Sequence, residues 1–333
     1  MKNKVLTVSK YLFFLVLGVG LMIWASRDLK LSEVLAEAKT MNFSYFLVSA
    51  VGALAAHFSR AVRWRYLIRS FGYNPHIKNV FLSVLFMYFS NIIIPRSGEV
   101  ARCGTLYKYE KIPVKNLLGT VVVERLFDLL TFALGFFLIL VMQFDAVKSL
   151  YFGSKFPNIL SSILNNRYWI MVLIVLGIAF LGVCYFTRKK WLGNKIVLKL
   201  IAFKNELVEG LKKVRALKEK RAFIGHTIFI WLMYFSMTYV CFYAYEPTAN
   251  LGLRAGFTVF VAGSLGMIAP TNGGIGAWHY MVILALGIFG VEGKEASSIA
   301  NVAFAAMTGT VIVFGAVSIV LLPFLNKDDK VKK

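Results

Sequence analysis

Ile93-Ile94-Pro95-Arg96-Ser97-Gly98-Glu99 closes an apolar run over 79–94, and Ile268-Ala269-Pro270-Thr271-Asn272-Gly273-Gly274 closes a second over 255–269. In both, apolar residues lead into a proline, and a glycine follows three residues later. Proline removes a backbone donor and pushes its predecessor into extended conformation, while glycine accepts the backbone angles of a restart. Each stretch therefore ends one short helix and begins another. A Pro-x-x-Gly turn is a common helix breaker on its own. Position gives this pair more weight, because each occupies the third hydrophobic element of its half of the chain.

Working outward, apolar runs lie near 11–25, 43–60, 117–144, 168–187, 223–245 and 297–323. At 1.5 Å per residue these reach or approach the ~20 residues that cross a bilayer. Lys2, Lys4 and Lys10 precede the first run, as in a signal peptide, but Ile23 stands where a cleavage site needs a small residue. An uncleaved first helix is expected. Composition agrees with a membrane solvent: 58% of the 333 residues are hydrophobic and 16% are charged, against ~25% charged in soluble domains.

The charge is lopsided, with 38 Lys+Arg against 16 Asp+Glu. The basic residues sit between apolar runs, which favours anionic headgroups and argues against a nucleic-acid partner. Segment 188–222 holds 12 basic residues and three acidic ones, 60–78 holds five basic and none acidic, and 96–115 holds five and two. Segment 26–42 carries three of each sign, and 246–254 one of each. The positive-inside rule then puts both termini in the cytoplasm. That requires 79–108 to enter and leave from the cytoplasm and 255–290 from outside.

The expected fold is an all-α polytopic membrane protein: six full spans plus two re-entrant hairpins, about eight hydrophobic segments in an inverted repeat. One transmembrane domain covers 1–323, with repeats over about 10–144 and 167–323. A basic amphipathic loop covers 188–222, and a cytoplasmic tail 324–333. Within the loop, 195–217 has apolar residues every three or four positions, as in a helix lying on an anionic surface.

Broken helices leave backbone N–H groups without partners, tolerable at depth only in protein or a wet cavity. Helix starts after Gly98 and after Gly273 would suit an anion. Gly273, Gly274 and Gly276 let backbone approach a headgroup closely, with Asn272 beside them a further candidate for headgroup contact, although small residues also pack membrane helices. Glu124 and Asp128, four apart, share a face of the third long run. Charges buried there should be paired or wet, with Arg96, Arg102 and Arg125 as candidate partners and Glu99 one turn before Arg102. Either the arginines clamp a lipid phosphate while the acids hold them, or the set is an ion-pair network fixing the hairpin. Arg60, Arg63, Trp64, Arg65 and Arg69 read as an interfacial anchor closing the second span. His57 and His279 read as packing residues. Cys103, Cys184 and Cys241 are scattered, as are the four histidines, so neither a metal nor a cofactor is expected.

The run Asn91 to Arg102, then Glu124-Arg125-x-x-Asp128, then Gly273-Gly274-Ile275-Gly276, resembles the lysylphosphatidylglycerol synthase transmembrane-region family, also called flippase-like domain proteins. The likeness covers roughly 10–323. It implies a bacterial or archaeal plasma-membrane protein. In two-domain relatives this region moves aminoacylated phospholipid between leaflets. Carried over, Arg96, Glu99, Arg102, Glu124, Arg125 and Asp128 take headgroup and gating roles, and Gly273, Gly274 and Gly276 line the second hairpin. Many relatives have a glutamate shortly after the second motif, where this chain has Trp278-His279. Synthases also append a soluble aminoacyl-transferase domain, whereas here the last span ends near Pro323. The expected function is therefore transport of an anionic phospholipid or lipid-phosphate rather than catalysis. The alternative is a membrane subunit of an aminoacyl- or glycosyl-lipid transferase, with a cytosolic enzyme as partner.

Overall fold

The computed structural model describes residues 31–142, 214–269 and 271–327. All regular elements among them are helical. In chain order they are α1 (Leu31–Thr40), α2 (Ser44–Arg69), α3 (Ile77–Ile93), α4 (Gly98–Glu110), α5 (Val114–Met142) and α6 (Lys220–Phe242). A short α7 (Glu246–Ala249), α8 (Leu253–Ile268), a 3₁₀ turn (Asn272–Gly274), α9 (Ala277–Gly287) and α10 (Gly293–Leu325) follow. The chain divides into two compact units, one of Met1–Phe132 with Ala216–Lys333 and one of Ala133–Arg215. Apart from the end of α5 beyond Phe132, the described helices belong to the first. The spans expected over 11–25 and 168–187, and nearly all of the amphipathic segment 195–217, lie outside the described residues.

Among the described helices α2, α6 and α10 are long and apolar enough to cross a membrane. α5 has 29 residues and α2 has 26. Helix lengths repeat in order. The series 26, 17, 13, 29 for α2 to α5 is followed by 23, 16, 11, 33 for α6, α8, α9 and α10. Each short pair packs as a helical hairpin, and α2 packs along α6.

Lipid gives apolar faces no reason to leave it, so these contacts rest on small residues and polar bonds. A Cβ on Gly52 would meet Met237 Cγ at 3.2 Å, and Ser49 Oγ donates to the Met237 carbonyl at 3.2 Å. In the second hairpin a Cβ on Gly266 would lie 2.6 Å from Trp278 Cα, and one on Gly263 2.7 Å from Trp278 Nε1. Among the described residues three buried clusters result, the smallest of Leu82, Leu85 and Leu322. One joins Trp64 and Ile68 of α2 to Val84 and Met87 of α3, Leu106 of α4 and Val121 of α5. Another joins Phe46 and Phe242 to Val259, Val282, Leu286 and Ile299.

The breaks form as proline chemistry dictates. Ile94, before Pro95, is extended at φ −128°, ψ 111°. Arg96 then turns left-handed at φ 63°. Ser97 Oγ lies 3.0 Å from the Ser90 carbonyl and 2.8 Å from that of Ile94, adding to the backbone bonds those two carbonyls already accept from the Ile94 and Ser97 N–H groups. Asn91 Oδ1 accepts the Gly98 N–H at 2.7 Å. The second break differs from expectation. Gly273, Gly274 and Gly276 all have positive φ, so the helix does not restart after Gly273 but at Ala277. There the Gly276 N–H donates to His279 Nδ1 at 3.3 Å, and His279 is buried in a packing role.

α1 is held at the opposite end from the basic 60–78 segment. Lys294 Nζ pairs with Glu37 Oε1 at 2.6 Å, and Tyr245 Oη donates to Glu37 Oε2 at 2.8 Å. These two contacts hold the Glu37 carboxyl below the ordinary carboxylate range. The attachment is therefore complete above pH ~4.3, the usual glutamate value, and is lost as pH falls through the lowered one. Hydrogen exchange in α1 is expected to rise on acidification in the wild type and to be pH-insensitive in Glu37→Gln.

Gly98 offers a second test. A Cβ there would collide with the Met87 carbonyl and come within 2.7 Å of Asn91 Nδ2. Gly98→Ala is expected to lower stability by about 1–3 kcal/mol, the usual cost of overpacking. Thermal unfolding in detergent measures it.

Candidate functional site

Three helices converge on a compact set of charges. α2 presents Arg60 and Arg63, three apart and so on one face. α5 presents Glu124 and Asp128, four apart. α4 brings Arg102 and Glu99 to the same place just after the first break. Arg60 Nη1 bonds Glu124 Oε1 at 2.7 Å and Asp128 Oδ2 at 3.0 Å. Arg63 Nη2 bonds Glu124 Oε1 at 3.1 Å and Asp128 Oδ1 at 2.8 Å. Two arginines thus cross-link two carboxylates.

Arg102 Nη2 lies 2.8 Å from the other Glu124 oxygen, and its guanidinium stacks 4.3 Å over the Trp64 ring. Trp64 is oriented by a bond from Nε1 to Thr120 Oγ1 at 2.8 Å. Arg63 Nη1 also donates to Thr227 of α6 at 3.1 Å. Arg63, Arg102 and Glu124 are wholly buried, at 0% exposure. At the rim, Arg125 pairs with Glu99 at 2.7 Å and Asp128 at 3.3 Å. Its side chain is 41% exposed and that of Glu99 26%. Four guanidinium groups therefore face three carboxylates, an excess of one positive charge.

Two expectations need correction. Arg60 and Arg63 are not an interfacial anchor; they turn inward, because only they reach both acids on α5. Arg96 is not a partner of the carboxylates. It is exposed at the tip of the first break, and its Nη2 bonds the Ile268 carbonyl at 3.3 Å. Arg102 and Arg125 do pair with the acids, though Glu99 chooses Arg125 rather than Arg102 one turn away. Sequence reasoning had a signal for Arg60 and Arg63. Two buried carboxylates demand cations, and a segment with five basic residues and no acid has two pairs at one-turn spacing, Arg60 with Arg63 and Arg65 with Arg69, the first nearer the apolar run.

The tip contact joins the two breaks. Besides the Arg96–Ile268 bond, Ile92 Cγ1 lies 3.8 Å from where a Cβ on Gly273 would be. Gly98 is buried, Asn272 begins the 3₁₀ turn, and Gly274 leaves no room for a side chain against Met267 Sδ. Residues of the two motifs, 172 positions apart for Arg96 and Ile268, are neighbours.

The sequence profile of the lysylphosphatidylglycerol synthase transmembrane region matches residues 11–315. The chain belongs to that family. It is a membrane protein, similar to a UPF0104 membrane protein of Methanocaldococcus jannaschii at 24% identity, over 90% of this chain and 88% of that one. No solved structure matches it. In this chain Arg102, Glu124, Arg125 and Asp128 belong to one ion-pair network, and Arg96 belongs to the tip.

Removing one member of a buried pair strands its partners' charges, at about 3–5 kcal/mol. Glu124→Gln leaves Arg60, Arg63 and Arg102 short of a counter-charge and is expected to cost that much in thermal unfolding. Arg125→Gln, at the half-exposed rim, is expected to cost under ~1 kcal/mol.

Proposed function

We propose that this protein carries an anionic phospholipid or lipid-phosphate from one leaflet to the other, the headgroup passing where the two broken hairpins meet. The observation that carries this reading is the contact between the breaks, Arg96 on the Ile268 carbonyl and Ile92 against Gly273. Interrupted helices in corresponding positions of two halves are how many transporters build a site at the bilayer midplane. The repeated order of helix lengths supports two such halves. In this reading their topologies are inverted, the first hairpin entering from the cytoplasm and the second from outside.

Charge sets the sign of the cargo. If α5 spans the bilayer from Val114, Glu124 and Asp128 lie about 15 and 21 Å along a helix of about 43 Å. Partly exposed Arg125 and Glu99, one helix over, then cannot face acyl chains and must meet water or a headgroup. The excess guanidinium favours a phosphate, and the network keeps the arginines in place without a substrate. The family's name, tied to a phospholipid synthase, favours a lipid. The plasma membrane with cytoplasmic termini is the location this reading implies.

Proteoliposomes containing leaflet-resolved fluorescent phosphatidylglycerol test it. Wild-type protein is expected to equilibrate the lipid faster than empty vesicles, and Arg96→Ala, altered only at an exposed tip, to slow it about tenfold. Wild-type rates equal to empty vesicles, or rates indifferent to Arg96→Ala, contradict the proposal. Co-purification of one stoichiometric cytosolic enzyme, with no lipid movement, would favour the transferase-subunit alternative instead.

A further inference from the structure

A second set of arginines lies outside the ion-pair network and is arranged differently. Arg65 and Arg69 stand one turn apart at the end of α2, and Arg69 is its last residue. The chain then reverses through Gly72 at φ 85°, bringing Asn74 back over them. Arg65 Nη2 donates to Asn74 Oδ1 at 3.2 Å, and Arg69 Nε donates to the same oxygen at 3.0 Å. Two cations thus converge on one neutral atom. Among the described residues neither makes an ion pair with a carboxylate, although Arg60 and Arg63 of the same helix each make two. Glu110 on α4 accepts the His76 N–H at 3.0 Å and Asn79 Nδ2 at 2.6 Å. Arg65 Nε is buried with no partner.

Like charges held together around a neutral amide repel, and an anion between them relieves that repulsion. Guanidinium edges match phosphate oxygens two at a time. The place fits as well. The pair ends a helix long and apolar enough to cross a membrane, within a segment that has five basic residues and no acid. Headgroup phosphates concentrate at such boundaries.

We infer that Arg65, Arg69 and Asn74 form a phosphate-binding site at the end of α2, separate from the ion-pair network and independent of the transport proposal. Its ligand is a phosphate group, either the diester of an anionic lipid or free phosphate.

Native mass spectrometry and thermal unfolding of the full chain in detergent test it, with phosphatidylglycerol and inorganic phosphate as separate probes. Asn74→Asp supplies an internal carboxylate where the ligand would sit. It is expected to bind the probe about tenfold more weakly than wild type, and to melt no lower, since the repulsion is now relieved from within. Arg65→Gln/Arg69→Gln is expected to lose the same binding. Loss seen with phosphatidylglycerol alone names a lipid ligand, and loss seen with inorganic phosphate as well names a soluble one. Binding unchanged in both variants, no binding by wild type above them, or a lower melting temperature in Asn74→Asp overturns the inference.

Discussion

A fully buried carboxylate, Glu124, is the constraint on which this structure turns. An unpaired charge of this kind would be expelled or neutralised, so two neighbouring helices must deliver three guanidinium groups to it. α2 supplies Arg60 and Arg63, and α4 supplies Arg102. Asp128, one turn on, shares two of these and adds Arg125. The consequence is geometric. α2, α4 and α5 cannot slide past one another without breaking several short ion pairs together. Apolar packing in lipid imposes no such register, because a slipped leucine face is solvated as well as an aligned one.

Fixing α4 fixes the first break, since Glu99 and Arg102 begin only a residue after Gly98. Two things disfavour a continuous helix here: Pro95 has no N–H to carry the ladder on, and the Gly98 N–H is already committed to Asn91. The second break is held another way, by close glycine contacts between α8 and Trp278. One hairpin is anchored by charge and the other by backbone proximity, and the tips touch.

Much of this was legible from residue order. Apolar runs at 79–94 and 255–269 anticipated Ile77–Ile93 and Leu253–Ile268 to within two residues, because proline and glycine act locally. The shared face of Glu124 and Asp128 followed from helical spacing. What lay beyond reach depends on which helices become neighbours. Arg60 and Arg63 end an apolar run, as an interfacial anchor does, and only the approach of α5 turns them inward. Arg96 differs from Arg102 in backbone angle, a left-handed turn at the tip that aims it across the break and away from the acids. The second helix restarts three residues late because Gly273, Gly274 and Gly276, all at positive φ, permit a 3₁₀ turn first. Pro-x-x-Gly spacing alone carries no sign of that.

The meeting of the tips is tested most directly by cross-linking Ile92→Cys with Gly273→Cys through a short thiol-reactive bridge. The background should lack native cysteines, the protein should stay in native membranes, and Ser49→Cys with Met237→Cys serves as the control for α2 against α6. An intramolecular 92–273 link forming as readily as the control is the predicted result. A control link without any 92–273 link would show the breaks apart and contradict the account.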